Sequence, residues 1–213
     1  MNVCWIYGAL GGLPACRPKP GDFVIAADAG LKNVQALGLT PDLIVGDFDS
    51  LGDVPVGENV IRHPVRKDDT DLMLALKEGL KRGWRSFIVC GCVGGRLDQT
   101  LASVQSAAYV AEHGGCVVMT ADGVSLTVLN GNGCSFPASA CGTLSVFALT
   151  ECRGVTLTGL SYSLQDAALT PAFPLGVSNR FTGAPAEIRV KEGLLAVYFD
   201  GEPDLVTVEG LAQ

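Results

Sequence analysis

Five aspartates in the first half of the chain close apolar runs, each near Gly, Ser or Thr. They are Asp28 in Ala-Ala-Asp-Ala-Gly, Asp47 and Asp49 in Gly-Asp-Phe-Asp-Ser, Asp71 in Lys-Asp-Asp-Thr-Asp, and Asp98 in Gly-Gly-Arg-Leu-Asp-Gln. Carboxylates gathered at the carboxyl edge of a parallel sheet are a means of holding Mg²⁺ against a polyphosphate. One such acid is ordinary loop chemistry; five point to a single site assembled from several strands.

Each segment has two readings. In Gly46-Asp47-Phe48-Asp49-Ser50, residues two apart in extended chain face the same way, so Asp47 and Asp49 would meet one ligand while Phe48 packs inward. Side-by-side carboxylates repel unless a cation lies between them. The same residues also suit a polar turn after a strand. In Lys67-Asp68-Asp69-Thr70-Asp71 the acids would be favoured by the dipole of the helix they open. Alternatively, Asp71 completes a metal site and Lys67 meets a phosphate. Gly94-Gly95-Arg96-Leu97-Asp98-Gln99 combines a glycine pair, a helix start and a forked donor, as an anion seat requires. It equally fits a glycine turn with an Arg–Asp surface pair. Asp28 either joins the acids or caps the next helix. Gly11-Gly12 reads as a turn, and Ser178-Asn179 as a β-turn with donors and acceptors suited to a heterocycle. There is no Gly-x-x-x-x-Gly-Lys-Ser/Thr loop, which argues against a Walker-type kinase or ATPase.

The elements that would position these groups follow from hydrophobic periodicity. Apolar runs at 3–7, 23–27, 43–45, 60–61, 87–90 and 117–119 read as strands. Between them lie a short helix over 31–37 and a helix striped by Leu72, Ala75, Leu76, Gly79 and Leu80, capped by Asp69 or Thr70 and ended at Gly83. A further helix covers 99–112, with Leu101, Val104, Ala108 and Ala111 inward. This alternation predicts an α/β unit over 1–122, a mostly parallel sheet with helices on both faces. From 123 to 213 only short β-like runs occur, with Lys191-Glu192-Gly193 as a hairpin loop, so this part is expected to be an all-β sandwich.

Net charge is −7 over 213 residues, which disfavours nucleic acid or an anionic membrane as a general partner. The apolar N-terminus lacks the basic flank of a secretion signal, and no run is long enough to span a bilayer. A cytoplasmic location is expected. The eight cysteines show no zinc spacing and read as reduced, mostly buried thiols.

In their order, these segments resemble the thiamine pyrophosphokinase (thiamine diphosphokinase) family. Its pattern has a strand ending in Asp-Gly-Gly, then Gly-Asp-x-Asp-Ser, Lys-Asp-x-Thr-Asp, Gly-Gly-Arg-x-Asp and a late Ser-Asn. The counterparts here are Asp28-Ala29-Gly30, Gly46–Ser50, Lys67–Asp71, Gly94–Asp98 and Ser178-Asn179. Two departures stand out: Ala29 replaces a glycine, and Gln99 stands where many members carry His and others Gln. The resemblance implies Mg²⁺-dependent transfer of a pyrophosphoryl group from ATP to the hydroxyl of thiamine. It implies Asp47, Asp49 and Asp71 on Mg²⁺, with Asp28 supporting that shell. Lys67 and Arg96 would clamp phosphates, Gly94, Gly95 and Gln99 would help seat ATP, and Asp98 would orient the hydroxyl. Ser178 and Asn179 would hold thiamine. It further implies a homodimer with sites shared between subunits. Two rivals remain at this stage: an aspartate-nucleophile phosphatase using Asp47 and Asp49, and a non-catalytic nucleotide or thiamine sensor.

Overall fold

A computed structural model describes residues 2–49, 55–64 and 68–210. Six strands of the first half lie parallel: β1 (Cys4–Tyr7), β2 (Phe23–Ala27), β3 (Leu43–Gly46), β4 (Val60–Arg62), β5 (Ser86–Cys90) and β6 (Cys116–Ala121). Their spatial order is β6-β5-β1-β2-β3-β4. β1 pairs with β2 on one side and β5 on the other, Ile6 lying between Ile25 and Val89. These strands read as near-continuous apolar runs because both faces are covered. Cys4 and Ile6 pack in a core with Ala75 and Val110, whereas Trp5 and Tyr7 pack with Val34. The two-residue period of a strand thus divides β1 between two cores.

Three α-helices occur among the described residues: α1 (Gly30–Ala36), α2 (Asp71–Lys81) and α3 (Leu97–Glu112). The expected stripe of α2 is buried at Leu72, Ala75, Leu76 and Gly79, with Leu80 half-buried. Its cap is Thr70, whose hydroxyl accepts from the Met73 N–H at 3.2 Å. Gly83, at φ +90°, ends the segment in a conformation that side chains resist. The stripe expected for α3 needs correction. Leu101 is 59% exposed, and the buried positions are Ser103, Ser106, Ala107, Val110 and Ala111. Both serines hide their polarity: Ser103 donates to the carbonyls of Gln99 and Cys92, and Ser106 to that of Ala102. A hydroxyl bonded back to the preceding turn can be buried, so the inward face does not read as apolar.

The sheet does not stop at residue 122. Asp122 and Gly123 both have positive φ (50° and 77°), as a tight two-residue hairpin requires. The chain therefore returns as β7 (Val124–Asn130), antiparallel to β6. β14 (Leu194–Asp200), β9 (Thr143–Ala148) and β12 (Asn179–Arg180) extend this to ten strands, in the order β12-β9-β14-β7-β6-β5-β1-β2-β3-β4. A second, antiparallel sheet holds β11 (Leu164–Leu169), β10 (Cys152–Thr158), β13 (Ala186–Arg189), β8 (Gly133–Phe136) and β15 (Thr207–Val208). Leu129, Val146 and Phe199 of the large sheet share a core with Phe136, Leu157 and Ile188 of the small one. Phe136 meets Phe199 edge-on at 4.9 Å.

The hairpin expected at Lys191-Glu192-Gly193 is not formed, because β13 and β14 belong to different sheets. The segment is a crossover tied to Arg153, whose carbonyl accepts from the N–H groups of Lys191 and Glu192. All eight cysteines are free. Burial pushes the Cys92 and Cys116 thiols up to about 12, so neither supplies a thiolate near neutral pH. No described helix is long and apolar enough to cross a membrane.

Candidate active site

Strand order reverses at β1: successive strands run outward to β4, and the chain then returns to lay β5 and β6 on the other side. Such a switch point opens a crevice beyond the carboxyl ends of the strands. A cleft of about 220 Å³ lies there. Gly8 to Leu10 follow β1, Asp28 follows β2, Gly91 and Cys92 follow β5, and Thr70 with Asp71 open α2. Gly94, Arg96 and Gln99, at the head of α3, complete the wall. A larger hollow of about 340 Å³, bordered by Trp5, Ile88, Val118 and Val206, contains none of the five aspartates. Of these two hollows, the smaller is the one lined by aspartates of the set, Asp28 and Asp71.

Asp28, Asp47 and Asp49 converge, with one ligand oxygen from each within 4.8 Å of the others. Asp28 and Asp47 are each only 8% exposed, whereas Asp49 lies at the surface. The extended alternation expected for Asp47-Phe48-Asp49 is replaced by a sharp turn. β3 ends at Gly46, and Phe48 takes a left-handed conformation at φ 64°. That backbone is unfavourable for a bulky residue by about 1–2 kcal/mol. Two observations account for its persistence. The Phe48 ring is 2% exposed, packed with Tyr7 and Val34, and its N–H donates to Asp28 Oδ1 at 3.1 Å. Phe48 does point inward, as expected, but through this turn.

Asp28 is itself left-handed at φ 47°. It does not cap α1, whose N-cap is Ala29 and which has no side-chain cap. Its carboxylate instead links the end of β2 to the turn after β3. Asp71 stands at the first position of α2 and lines the cleft with Asp28. Its neighbour Asp69 is turned away into an ion pair with Lys77 at 2.8 Å. Lys67 and Ser50 lie outside the described residues.

At the head of α3, Arg96 reaches the cleft but is engaged by Asp98. Its Nε and Nη2 donate to the two carboxylate oxygens at 3.1 and 2.5 Å. This guanidinium holds the Asp98 carboxyl below the usual carboxylate range, and the Gln99 N–H adds to the effect. Both side chains are well exposed, at 73% and 63%. Gly94 and Gly95 have φ of 93° and 65°, and the Gly94 N–H is taken by Thr100 Oγ1 at 3.0 Å.

Ser178 and Asn179 lie at the far end of the large sheet. Asn179 opens β12, is 2% exposed, and clasps the backbone of Tyr162: its Oδ1 accepts at 2.9 Å and its Nδ2 donates at 2.6 Å. Ser178 is exposed and left-handed at φ 60°, with its N–H on Ser145 Oγ. Exposed Phe147, Phe173, Leu175 and Val177 occur in the same part of the chain.

Two family models match along the chain. The thiamin pyrophosphokinase catalytic domain matches residues 19–119, and the thiamin pyrophosphokinase vitamin B1 binding domain matches 135–195. The chain belongs to the thiamin pyrophosphokinase family. It is an enzyme with thiamine pyrophosphokinase activity. The first model spans Asp28, Asp47, Asp49, Asp71, Arg96 and Asp98; the second spans Ser178 and Asn179.

Solved structures share the fold. A thiamin pyrophosphokinase family protein from Enterococcus faecalis is 24% identical, with a TM-score of 0.77 over 95% of this chain and 100% of its own. Thiamine pyrophosphokinase from Bacillus subtilis is 19% identical, with a TM-score of 0.79 over 94% and 100%. Thiamin pyrophosphokinase from Candida albicans is 17% identical, with a TM-score of 0.72 over 94% and 90%. A comparison with curated proteins gives no significant match.

Ala29, the departure from the family's Asp-Gly-Gly, has a physical account. Ala29 is right-handed (φ −63°, ψ −8°), which any residue tolerates. Gly30 is the position with no room: a Cβ there would overlap the Tyr7 carbonyl. The glycine that remains is therefore the one on which packing of α1 against β1 depends.

Proposed function

We propose that this family member transfers the pyrophosphoryl group of ATP to the hydroxyl of thiamine, giving thiamine diphosphate and AMP. The observation that carries this reading is the convergence of Asp28, Asp47 and Asp49 beside a switch-point cleft that also presents Asp71 and Arg96. Three clustered carboxylates are a hard-oxygen donor set of the kind Mg²⁺ takes. Asp47, Asp49 and Asp71 would hold the ion, with Asp28 supporting them. When bound, it would neutralise phosphate charge.

The chain's own residues do the rest by positioning and charge. The thiamine hydroxyl oxygen attacks the β-phosphorus, a new P–O bond forms, and the bond to the oxygen kept by AMP breaks. Arg96 releases Asp98 to clamp phosphate oxygens, alongside Lys67. Asp98, held ionised, is then free to accept the hydroxyl proton. Gly94, Gly95 and Gln99 would seat ATP. At the other edge, Ser178 would meet thiamine, and Asn179 would shape that surface.

In this reading residues 1–122 form the α/β catalytic unit, with helices on both faces of its sheet, and 123–213 the β-sandwich thiamine unit. β12 and β1 are six strand spacings apart in the ten-stranded order, roughly 29 Å along the sheet. One chain's Ser178 is thus remote from its own acids. This supports a homodimer in which the β unit of one copy serves the cleft of the other. We place the enzyme in the cytoplasm.

The test is incubation with ATP, Mg²⁺ and thiamine, measuring AMP and thiamine diphosphate. Equal, thiamine-dependent amounts of both are expected. Phosphate release from simple esters without AMP would instead indicate a phosphatase, and ligand binding without turnover a sensor.

A further inference from the structure

The turn after β1 is held from two sides. Its N–H groups bond to the end of β5: Gly8 donates to the Cys90 carbonyl at 2.8 Å, and Leu10 to that of Gly91 at 2.9 Å. Its carbonyls bond to α1: Asn33 Nδ2 donates to Gly8 at 2.7 Å and to Leu10 at 2.8 Å. One amide group thus uses both its hydrogens on two carbonyls that flank Ala9. Among the described residues, the backbone groups of Gly8 and Leu10 are all engaged, and those of Ala9 meet no hydrogen-bond partner. Ala9 is exposed and lines the cleft. The turn has little freedom to relax otherwise. A Cβ at Gly8 would overlap Cys92 and the Gly91 carbonyl, and Gly91 itself is at φ +68°.

We infer that Asn33 is a positioning residue for the nucleotide: it fixes the Gly8–Leu10 turn so that the Ala9 peptide groups meet ATP in the cleft. This rests on the reading of the cleft as the ATP site. A purely structural role explains the geometry less well. α1 is already anchored by Val34, fully buried, and by the close approach of Gly30 to Tyr7. Asn33 is only half-buried, and both its hydrogens go to a turn that lines the cleft.

The experiment compares wild type with Asn33→Ala, Asn33→Asp and the core variant Val155→Ala in β10 of the small sheet. Readouts are ATP affinity by calorimetry without thiamine, the two KM values, kcat and Tm. Losing two hydrogen bonds that shape a binding surface should weaken ATP binding and raise its KM about tenfold in both Asn33 variants. The KM for thiamine should stay within about twofold. Val155→Ala should lower Tm and leave the ATP KM unchanged, because Val155 is fully buried in the core between the two sheets, away from the cleft. An unchanged ATP affinity in the Asn33 variants would overturn the inference. So would a rise in both KM values together, or an ATP defect reproduced by Val155→Ala. Wild type that binds ATP but makes no thiamine diphosphate would sink the proposed reaction alone; the affinity comparison would still decide the role of Asn33.

Discussion

The two ends of the ten-stranded sheet treat polar groups in opposite ways. At the carboxyl edge of β2 and β3, the fold brings Asp28, Asp47 and Asp49 together and accepts left-handed backbone at Asp28 and Phe48 to do so. Stability alone would not favour three converging carboxylates. At the β12 end, the buried polar side chain is engaged by the protein itself: Asn179 gives its amide to the Tyr162 backbone, and Ser178 is left at the surface. The first end is arranged for charge and the second for shape. Substitution of the acids should therefore cost activity without stability, whereas substitution of Asn179 should cost stability.

The largest effect expected is at the acid end. Asp71→Asn, which keeps the size of the side chain and removes its charge, should lower turnover by orders of magnitude while the fold survives. Turnover measured beside a melting curve checks this; an unchanged rate would remove Asp71 from the mechanism. Next comes Asn179→Ala, which removes a buried amide and its two hydrogen bonds to the backbone of exposed Tyr162 and should cost about 1–2 kcal/mol of stability. Denaturant unfolding reads that loss, and a stable but inactive variant would mean that Asn179 acts on the substrate instead. The smallest is Ser178→Ala, expected to raise the KM for thiamine several-fold and leave the unfolding midpoint where it is. A defect confined to kcat would contradict a binding role.

Much of the acid end could be read from residue types, because parallel strands buried on both faces announce themselves as apolar runs and their ends are marked by Asp and Gly. The geometry inside that site could not. The turn at Phe48 depends on a bond to Asp28, twenty residues earlier. Asn33 acts across 23 to 25 residues of sequence, with no local pattern to betray it. Along α3, Ser103 and Ser106 are buried by bonding back to their own helix, which disguises the inward face. The β-rich half was less legible. Strands such as β11, with Gln165 and Asp166 exposed, and the two-residue β12 and β15 carry no run long enough to detect. The crossover at Lys191 looked like a hairpin because the sequence does not say which sheet a strand will join.

In the proposed homodimer, the two ends serve one reaction only across two copies of the chain. Mixing Asp71→Asn with Ser178→Arg chains, after unfolding and refolding them together, tests it directly. If each site combines the acids of one chain with the Ser178 edge of its partner, every mixed dimer has one intact site, and random pairing should restore about a quarter of wild-type turnover. No activity above that of the separate variants would contradict the account.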